Sequence, residues 1–459
     1  MKRNERMNIV IGLLVIVLAI SGITILLFEL FAPDTQNAYG VQGGNETSQN
    51  ANVVQGGSET SQNVNVVQGG HETSQSTSTA SKPDTTTVPS TPSTSTPTPT
   101  IPALPTQAST PTISPTDSIP VKGLYLTPNS VATKERLQHY VDLANTTEIN
   151  AYVVDIKDDL GEICYETNVP LAIKHDAWKK KYDVRQMLDT FHENDIKVIG
   201  RVVCFSDPLM PLKEPDISLK NANGTVFKVP LNNSHLAWLD PSNEIAWQYI
   251  IDISKEALEI GFDEIQYDYI RFPETTNFKY NMSYLVKEKS DYINGFMKSA
   301  MSQLDGIFSG DIFGSVCLQS RDAGGIGQTL ETISGQFNYI SPMIYPSHYA
   351  NDSNHYSGNG VGTNINGVHY KKPDLEPYNI IYNTLLITKK RLTDAGLDIK
   401  VRPYLQGFTA DYMPDGYYAK YGVDEYKAQI KAVYDSGYSE WIFWNSRNTY
   451  VEKAFLPEE

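Results

Sequence analysis

From Pro120 onward the chain alternates strand-like and helix-like segments with a regularity that few folds accommodate. Strand-like runs rich in Val, Ile, Tyr and Phe fall at 121–128, 151–156, 197–205, 264–272, 312–318, 339–345, 400–408 and 440–444. Several are apolar on both faces, as strands buried in a parallel sheet are. Amphipathic helical patterns separate them at 133–147, 184–194, 244–259, 284–302, 326–334, 379–395 and 423–436. Gly261 and Gly437 follow helices and precede strands, where a left-handed stop is expected. Asp240-Pro-Ser-Asn-Glu244 reads as a turn into a capped helix. Eight such units predict an α/β fold, a (β/α)8 TIM barrel with long βα loops over 120–459. A doubly wound open sheet would need a glycine-rich phosphate loop after its first strand. Here Leu126-Thr-Pro-Asn-Ser130 follows instead.

The first 119 residues cannot belong to that barrel. Lys2, Arg3 and Arg6 lie in a basic segment, 1–8, ahead of an apolar run, 9–31, whose single charge is Glu29. The run is long enough to cross about 30 Å of hydrocarbon as a helix, longer than a signal-peptide core. The expectation is an uncleaved membrane anchor, with the N-terminus cytoplasmic and the rest outside. Residues 32–119 form a linker. Val41-Gln-Gly-Gly-Asn-Glu-Thr-Ser-Gln49 recurs from Val54 and from Val67, a 13-residue period without a packable apolar face. Of the 45 residues in 76–120, 33 are Pro, Ser or Thr, too little apolar surface to offset chain entropy.

Net charge excludes some partners. The chain carries −16, from 37 Lys and Arg against 53 Asp and Glu. No basic stripe exists to neutralise phosphates, so a nucleic-acid partner is not expected. Cys164, Cys204 and Cys317 form neither a disulfide framework nor a metal-ligand spacing and read as buried small residues. No nucleotide, zinc-peptidase or serine-hydrolase motif occurs, and no cofactor or metal is expected.

In such a barrel the chemistry sits where strands exit at the C-terminal end. The fourth strand reads Gly261-Phe-Asp-Glu-Ile-Gln-Tyr-Asp-Tyr-Ile-Arg-Phe-Pro273, with Glu264, Gln266 and Asp268 on one face. A carboxylate at the exit of an apolar strand is costly unless paired, which marks Asp268 as functional. Arg271 stands just beyond it, while Asp263 and Glu264 fall at the barrel bottom. The second strand ends Asp155-Ile-Lys-Asp-Asp159, placing Asp155 and Lys157 on one face with Asp158 and Asp159 in the loop. Asp207 and Arg201 come from the third strand, Tyr345 and His348 from the sixth, Gln406 from the seventh, and Trp444 and Asn445 from the eighth. Arg201 is placed to neutralise buried carboxylates. Trp444 offers a flat face for a sugar ring, and Gln406 and Asn445 offer paired hydrogen bonds. Two carboxyls flanking a glycosidic bond are the usual minimum for its hydrolysis. Asp268 and Asp155 are the expected pair. Lys157, Asp158, Arg201, Asp207, Arg271, Tyr345, His348, Gln406, Trp444 and Asn445 are the expected substrate contacts.

The fourth-strand motif, together with Val154-Asp-Ile-Lys-Asp-Asp-Leu-Gly161, Ser341-Pro-Met-Ile-Tyr-Pro-Ser-His-Tyr349, Arg402-Pro-Tyr-Leu-Gln-Gly-Phe408 and Trp444-Asn445, resembles the "putative glycosyl hydrolase" barrel domain of bacterial surface proteins. The resemblance spans roughly 120–450 and implies a TIM-barrel glycoside hydrolase fold. Laid on the DxxDxDxE pattern of family 18 chitinases, the chain places Asp263, Gln266, Asp268 and Ile270 at the four positions. The acid is thus replaced by Ile270, so the resemblance does not extend to substrate-assisted chitinase chemistry. Three functions follow as expectations. The first is a membrane-anchored extracellular glycoside hydrolase acting on envelope or extracellular polysaccharide. The second is a barrel that binds glycan without cutting it. The third is a metal-dependent deacetylase or phosphoesterase, for which the Asp and His spacing matches no metal motif.

Overall fold

The computed structural model describes residues 119–456, apart from 231–234, 276–277, 323 and 356. The expected membrane anchor and linker lie outside the described residues. Among those described, no helix is long and apolar enough to cross a membrane.

Eight parallel strands close into a barrel: β1 (Lys122–Leu126), β2 (Ala151–Lys157), β3 (Lys197–Val203), β4 (Glu264–Asp268), β5 (Phe308–Phe313), β6 (Tyr339–Ile344), β7 in two pieces (Lys400–Val401 and Tyr404–Gln406), and β8 (Trp441–Trp444). Each pairs with its neighbour in sequence, and Lys122 opposite Trp441 closes β8 onto β1. The intervening helices are α1 (Lys134–Thr146), α2 (Val184–His192), α3 (Glu244–Ile260), α4 (Lys289–Gln303), α5 (Leu330–Ser334), α6 (Pro377–Asp394) and α7 (Val423–Asp435). Thr133, Asp183 and Asn243 cap α1, α2 and α3 with their side chains, each satisfying backbone donors that the first turn leaves free. Gly261 at φ 122° ends α3 and Gly437 at φ 85° follows α7, both in the region that L side chains rarely adopt.

Alternation along each strand divides the core in two. Outward residues such as Leu124, Val154, Ile265, Ile340 and Phe443 pack beneath the helices in one large cluster. Full burial of each such side chain contributes about 1.5–3 kcal/mol. Inward residues Val121, Tyr125, Val153, Ile199, Tyr404 and Ile442 fill the barrel interior. The three cysteines are buried and free.

Several boundaries differ from the sequence expectation, β4 among them, which ends at Asp268 and not at 272. β5 runs Phe308–Phe313, not 312–318, because Gly314–Cys317 winds into a 3-10 turn with Val316 and Cys317 buried. α4 and α5 are shorter than their apolar patterns, starting at Lys289 and Leu330. β7 is interrupted at Arg402-Pro403, where proline has no N–H to give the ladder.

Candidate active site

The barrel interior holds two charged layers. At the N-terminal end, Glu264 is wholly buried and accepts from Ser309 Oγ at 2.6 Å, from Arg402 and, at 3.0 Å, from Lys197. Although burial opposes ionisation, Arg402 and Lys197 hold this carboxyl down at about 2. Glu264 therefore closes the bottom, as its place at the start of β4 predicted. One layer up, Tyr404 Oη donates to Gln266 Oε1 at 2.5 Å, and Gln266 donates to Ser341 Oγ.

The upper layer is organised by Arg201 on β3. Its guanidinium reaches Asp155 on β2 at 2.8 Å, Asp268 on β4 at 2.7 and 3.1 Å, and Asp159 in the β2 loop at 3.2 Å. Arg201 lies on the strand between those of Asp155 and Asp268, which is why one side chain bridges both. Above it opens a cavity of about 440 Å³, lined by Asp159, Arg201, Asp268 and Asp311 together with aromatic side chains. Its size is within the usual range of ligand pockets.

Asp268 presents its carboxylate to this cavity, with Oδ2 on Arg201 and Oδ1 accepting the Tyr269 N–H at 2.6 Å. Tyr269 itself sits at φ 51°, a left-handed conformation that costs a tyrosine of order 1–3 kcal/mol. The turn brings both Tyr269 and Arg271 back to the cavity wall. Tyr345 and Trp444 stack with centroids 5.7 Å apart, and Phe408 meets Trp444 edge-on at 5.5 Å. His348 stands perpendicular to Tyr345 at 5.2 Å, and desolvation pushes its imidazole down to about 4, so it is neutral at pH 7.

Of the expected residues, the structure brings Arg201, Asp268, Arg271, Tyr345, His348, Trp444 and Asn445 to the cavity. The other five do not line it. Asp155 lies beneath the floor, accepting from Tyr125 Oη at 2.7 Å and from Arg201, and burial pushes its carboxyl up to about 7 against the pull of Arg201. Lys157 was expected beside Asp155, but a bulge between the two sets Asp155 opposite Arg201 and Lys157 opposite Val202, turning Lys157 to the outer face. There it pairs with Asp207 at 2.9 Å, both side chains wholly buried, while Asp207 Oδ1 accepts the N–H groups of Leu209 and Met210. Asp158 is taken by Lys181, and its neighbour Asp159 faces the cavity instead. Gln406 accepts from Ser347 and donates to Asp374 at 2.9 Å, tying the β6 and β7 loops together. Asn445 reaches the cavity, yet its amide is committed to Gly407 and Thr449 carbonyls.

Three cavity carboxyls were absent from the expected contacts, Asp159, Asp311 and Asp411, and Asp311 is the one on a barrel strand. Asp311 on β5 is 3% exposed, and its Oδ1 has no hydrogen-bond partner among the described residues. Burial, then the charge of Asp268, push its carboxyl well above the usual range, with Arg201 and Arg402 opposing. The β4–β5 register pairs Tyr267 with Gly310, and one step further sets Asp268 beside Asp311. The signal was present in Phe308-Ser-Gly-Asp-Ile-Phe313, a lone carboxylate in an apolar run. Starting the strand at Ile312 concealed it.

No curated protein matches the chain. The crystal structure of a hypothetical protein from Ruminiclostridium thermocellum is 52% identical over 41% of this chain and 96% of its own, with a TM-score of 0.39. The PgaB (BpsB) glycoside hydrolase domain from Bordetella bronchiseptica is 10% identical over 74% of this chain and all of its own, with a TM-score of 0.51, a likeness of fold. An alpha-galactosidase from Thermus thermophilus is 12% identical over 74% of this chain and 62% of its own, with a TM-score of 0.45. The family model described as "Putative glycosyl hydrolase domain" matches residues 123–450, and the chain belongs to that family.

Proposed function

We propose that this barrel hydrolyses glycosidic bonds in an envelope or extracellular polysaccharide, with Asp268 as nucleophile and Asp311 as general acid. The observation that carries the reading is the pair itself: two neighbouring inward carboxyls lining one cavity, one held by a guanidinium and the other buried with an oxygen that no described residue satisfies. Asp268 shares the charge of Arg201, whereas the buried Asp311 favours its proton. A buried carboxyl that keeps its proton is suited to act as the acid beside a neighbouring nucleophile. The proposed mechanism is the retaining one, in which the second carboxyl acts as nucleophile. In this mechanism Asp311 protonates the leaving oxygen as Asp268 attacks the anomeric carbon. Asp311, then ionised, takes a proton from the water that releases the glycosyl group. Trp444 and Tyr345 supply the apolar wall for a sugar ring. The apolar run 9–31 and the linker support placing the barrel outside a membrane to which the chain is anchored.

The test is release of reducing ends from a panel of wall and extracellular polysaccharides by wild type and Asp268→Asn. Cleavage of one polymer by wild type and not by the variant supports the proposal. Retention on a polymer without any new reducing ends replaces it with the glycan-binding reading, which the loss of the chitinase acid to the buried Ile270 favours.

A further inference from the structure

Three arginines are buried among the described residues, and two of them are paired with carboxylates: Arg201 with Asp155, Asp159 and Asp268, and Arg402 with Glu264 and Glu440. Arg271 makes no ion pair among the described residues. It is 7% exposed and lines the cavity a few residues beyond Asp268. Among the described residues its guanidinium makes one hydrogen bond, from Nη1 to the Phe272 carbonyl at 3.2 Å. Three rings surround the guanidinium, Phe313 at 4.6 Å, Tyr269 at 5.1 Å and Trp238 at 5.6 Å to their centroids. Trp238 is fixed in turn by donating to the Arg271 carbonyl. The rings stabilise the cation through their faces, yet they accept none of its remaining N–H donors.

Burying a guanidinium without an anion is costly, and the cost persists only where something offsets it. The fork of an arginine matches the two oxygens of a carboxylate or phosphate, and aromatic walls that exclude water strengthen such a pair. We infer that Arg271 is a specificity site for an oxyanion carried by the glycan, a uronate carboxylate or a phosphate, on a sugar close to the bond that is cut. The substrate class is therefore an anionic polysaccharide. This rests on the cavity being the glycan site, as proposed above. The overall negative charge does not oppose it at contact range, because exposed charges are screened within about 8–10 Å at physiological ionic strength.

The experiment separates binding from cleavage by using Asp268→Asn as the parent chain. Retention is measured in affinity gels containing polygalacturonate, the same polymer fully methyl-esterified, or a phosphodiester-linked glycan. The expected result is retention by at least one charged polymer and not by the ester, weakened at least about tenfold by Arg271→Met and partly restored by Arg271→Lys. Thermal unfolding of each variant checks that the aromatic wall survives. Equal retention by charged and esterified polymer, retention by none, or retention unchanged in Arg271→Met overturns the inference. Should Arg271→Met not fold, the charged-against-ester comparison and Arg271→Lys decide alone. Charged polymer held through Arg271 but never cut by wild type leaves this inference standing and sinks the hydrolase proposal.

Discussion

The two ends of the barrel interior are built from the same materials and put to opposite uses. At the bottom, Glu264 is saturated by Arg402, Lys197 and Ser309, and its carboxyl is held down at about 2. At the mouth, Arg201 is shared among three carboxylates, Asp311 Oδ1 has no partner among the described residues, and Arg271 has rings in place of an anion. Asp155 and Asp311 are both pushed up by burial. The bottom layer pairs its buried carboxylate within the protein, although Arg402 Nε and Glu440 Oε2 there have no hydrogen-bond partner among the described residues. The mouth, short of partners where the cavity opens, is arranged for something that enters.

The sharpest way to break this comparison is to neutralise the mouth and watch only chemistry change. Asp268→Asn is expected to lower turnover by ~10³-fold or more, as loss of a nucleophile does. Asp311→Asn should lower it by ~10²–10⁴-fold, the range of a general acid, and should hardly shift the denaturation midpoint. Reducing-end assays and thermal melts on the same preparations check both. Because Asp311 acts protonated, wild-type activity should fall as pH rises through its elevated pKa, and this alkaline limb should vanish in Asp311→Asn.

Removing charge at the bottom should do the reverse. Glu264→Gln leaves Arg402 buried against a neutral group, a change expected to cost about 3–5 kcal/mol. The denaturant midpoint should drop while turnover per folded molecule is kept.

The two ends should also differ in sign when pH is varied. Glu264, lowered on folding, contributes stability that is present above its unfolded pKa of 4.5 and lost as pH falls toward about 2. Asp155, raised on folding, contributes stability that is present below its unfolded pKa of 3.8 and lost as pH rises through about 7. Asp155→Asn should therefore flatten the stability profile between those two values, measured by thermal melts across pH. The smallest effect is expected at the aromatic wall, where Trp444→Ala should weaken glycan retention by about tenfold, roughly 1.4 kcal/mol.

How much of this was legible in sequence follows from what each feature depends on. Strand period, capping residues and stop glycines are local, so most of the barrel could be read, as could Arg201 as the neutraliser and Glu264 as the bottom closure. Asp268 was legible because it ends a long motif of fixed alternation. Lys157 was misplaced because a bulge reverses faces without any sequence mark, and Asp158 was preferred to Asp159 for want of that same bulge. Asp155 and Gln406 were assigned to the right strands, but only closure of the barrel decides which inward groups reach the cavity and which stay beneath its floor or behind its loops. Asp311 was lost when β5 was started too late, since the apolar Val316 and Cys317 in the turn imitate a continuing strand.

The central claim is that Asp311, not the more deeply seated Asp155, is the partner of Asp268. The most direct measurement compares Asp311→Asn and Asp155→Asn side by side on a polymer that wild type cuts. The account predicts that Asp311→Asn loses nearly all turnover with its melting temperature kept, while Asp155→Asn keeps substantial turnover. An active Asp311→Asn beside a dead but folded Asp155→Asn would contradict it.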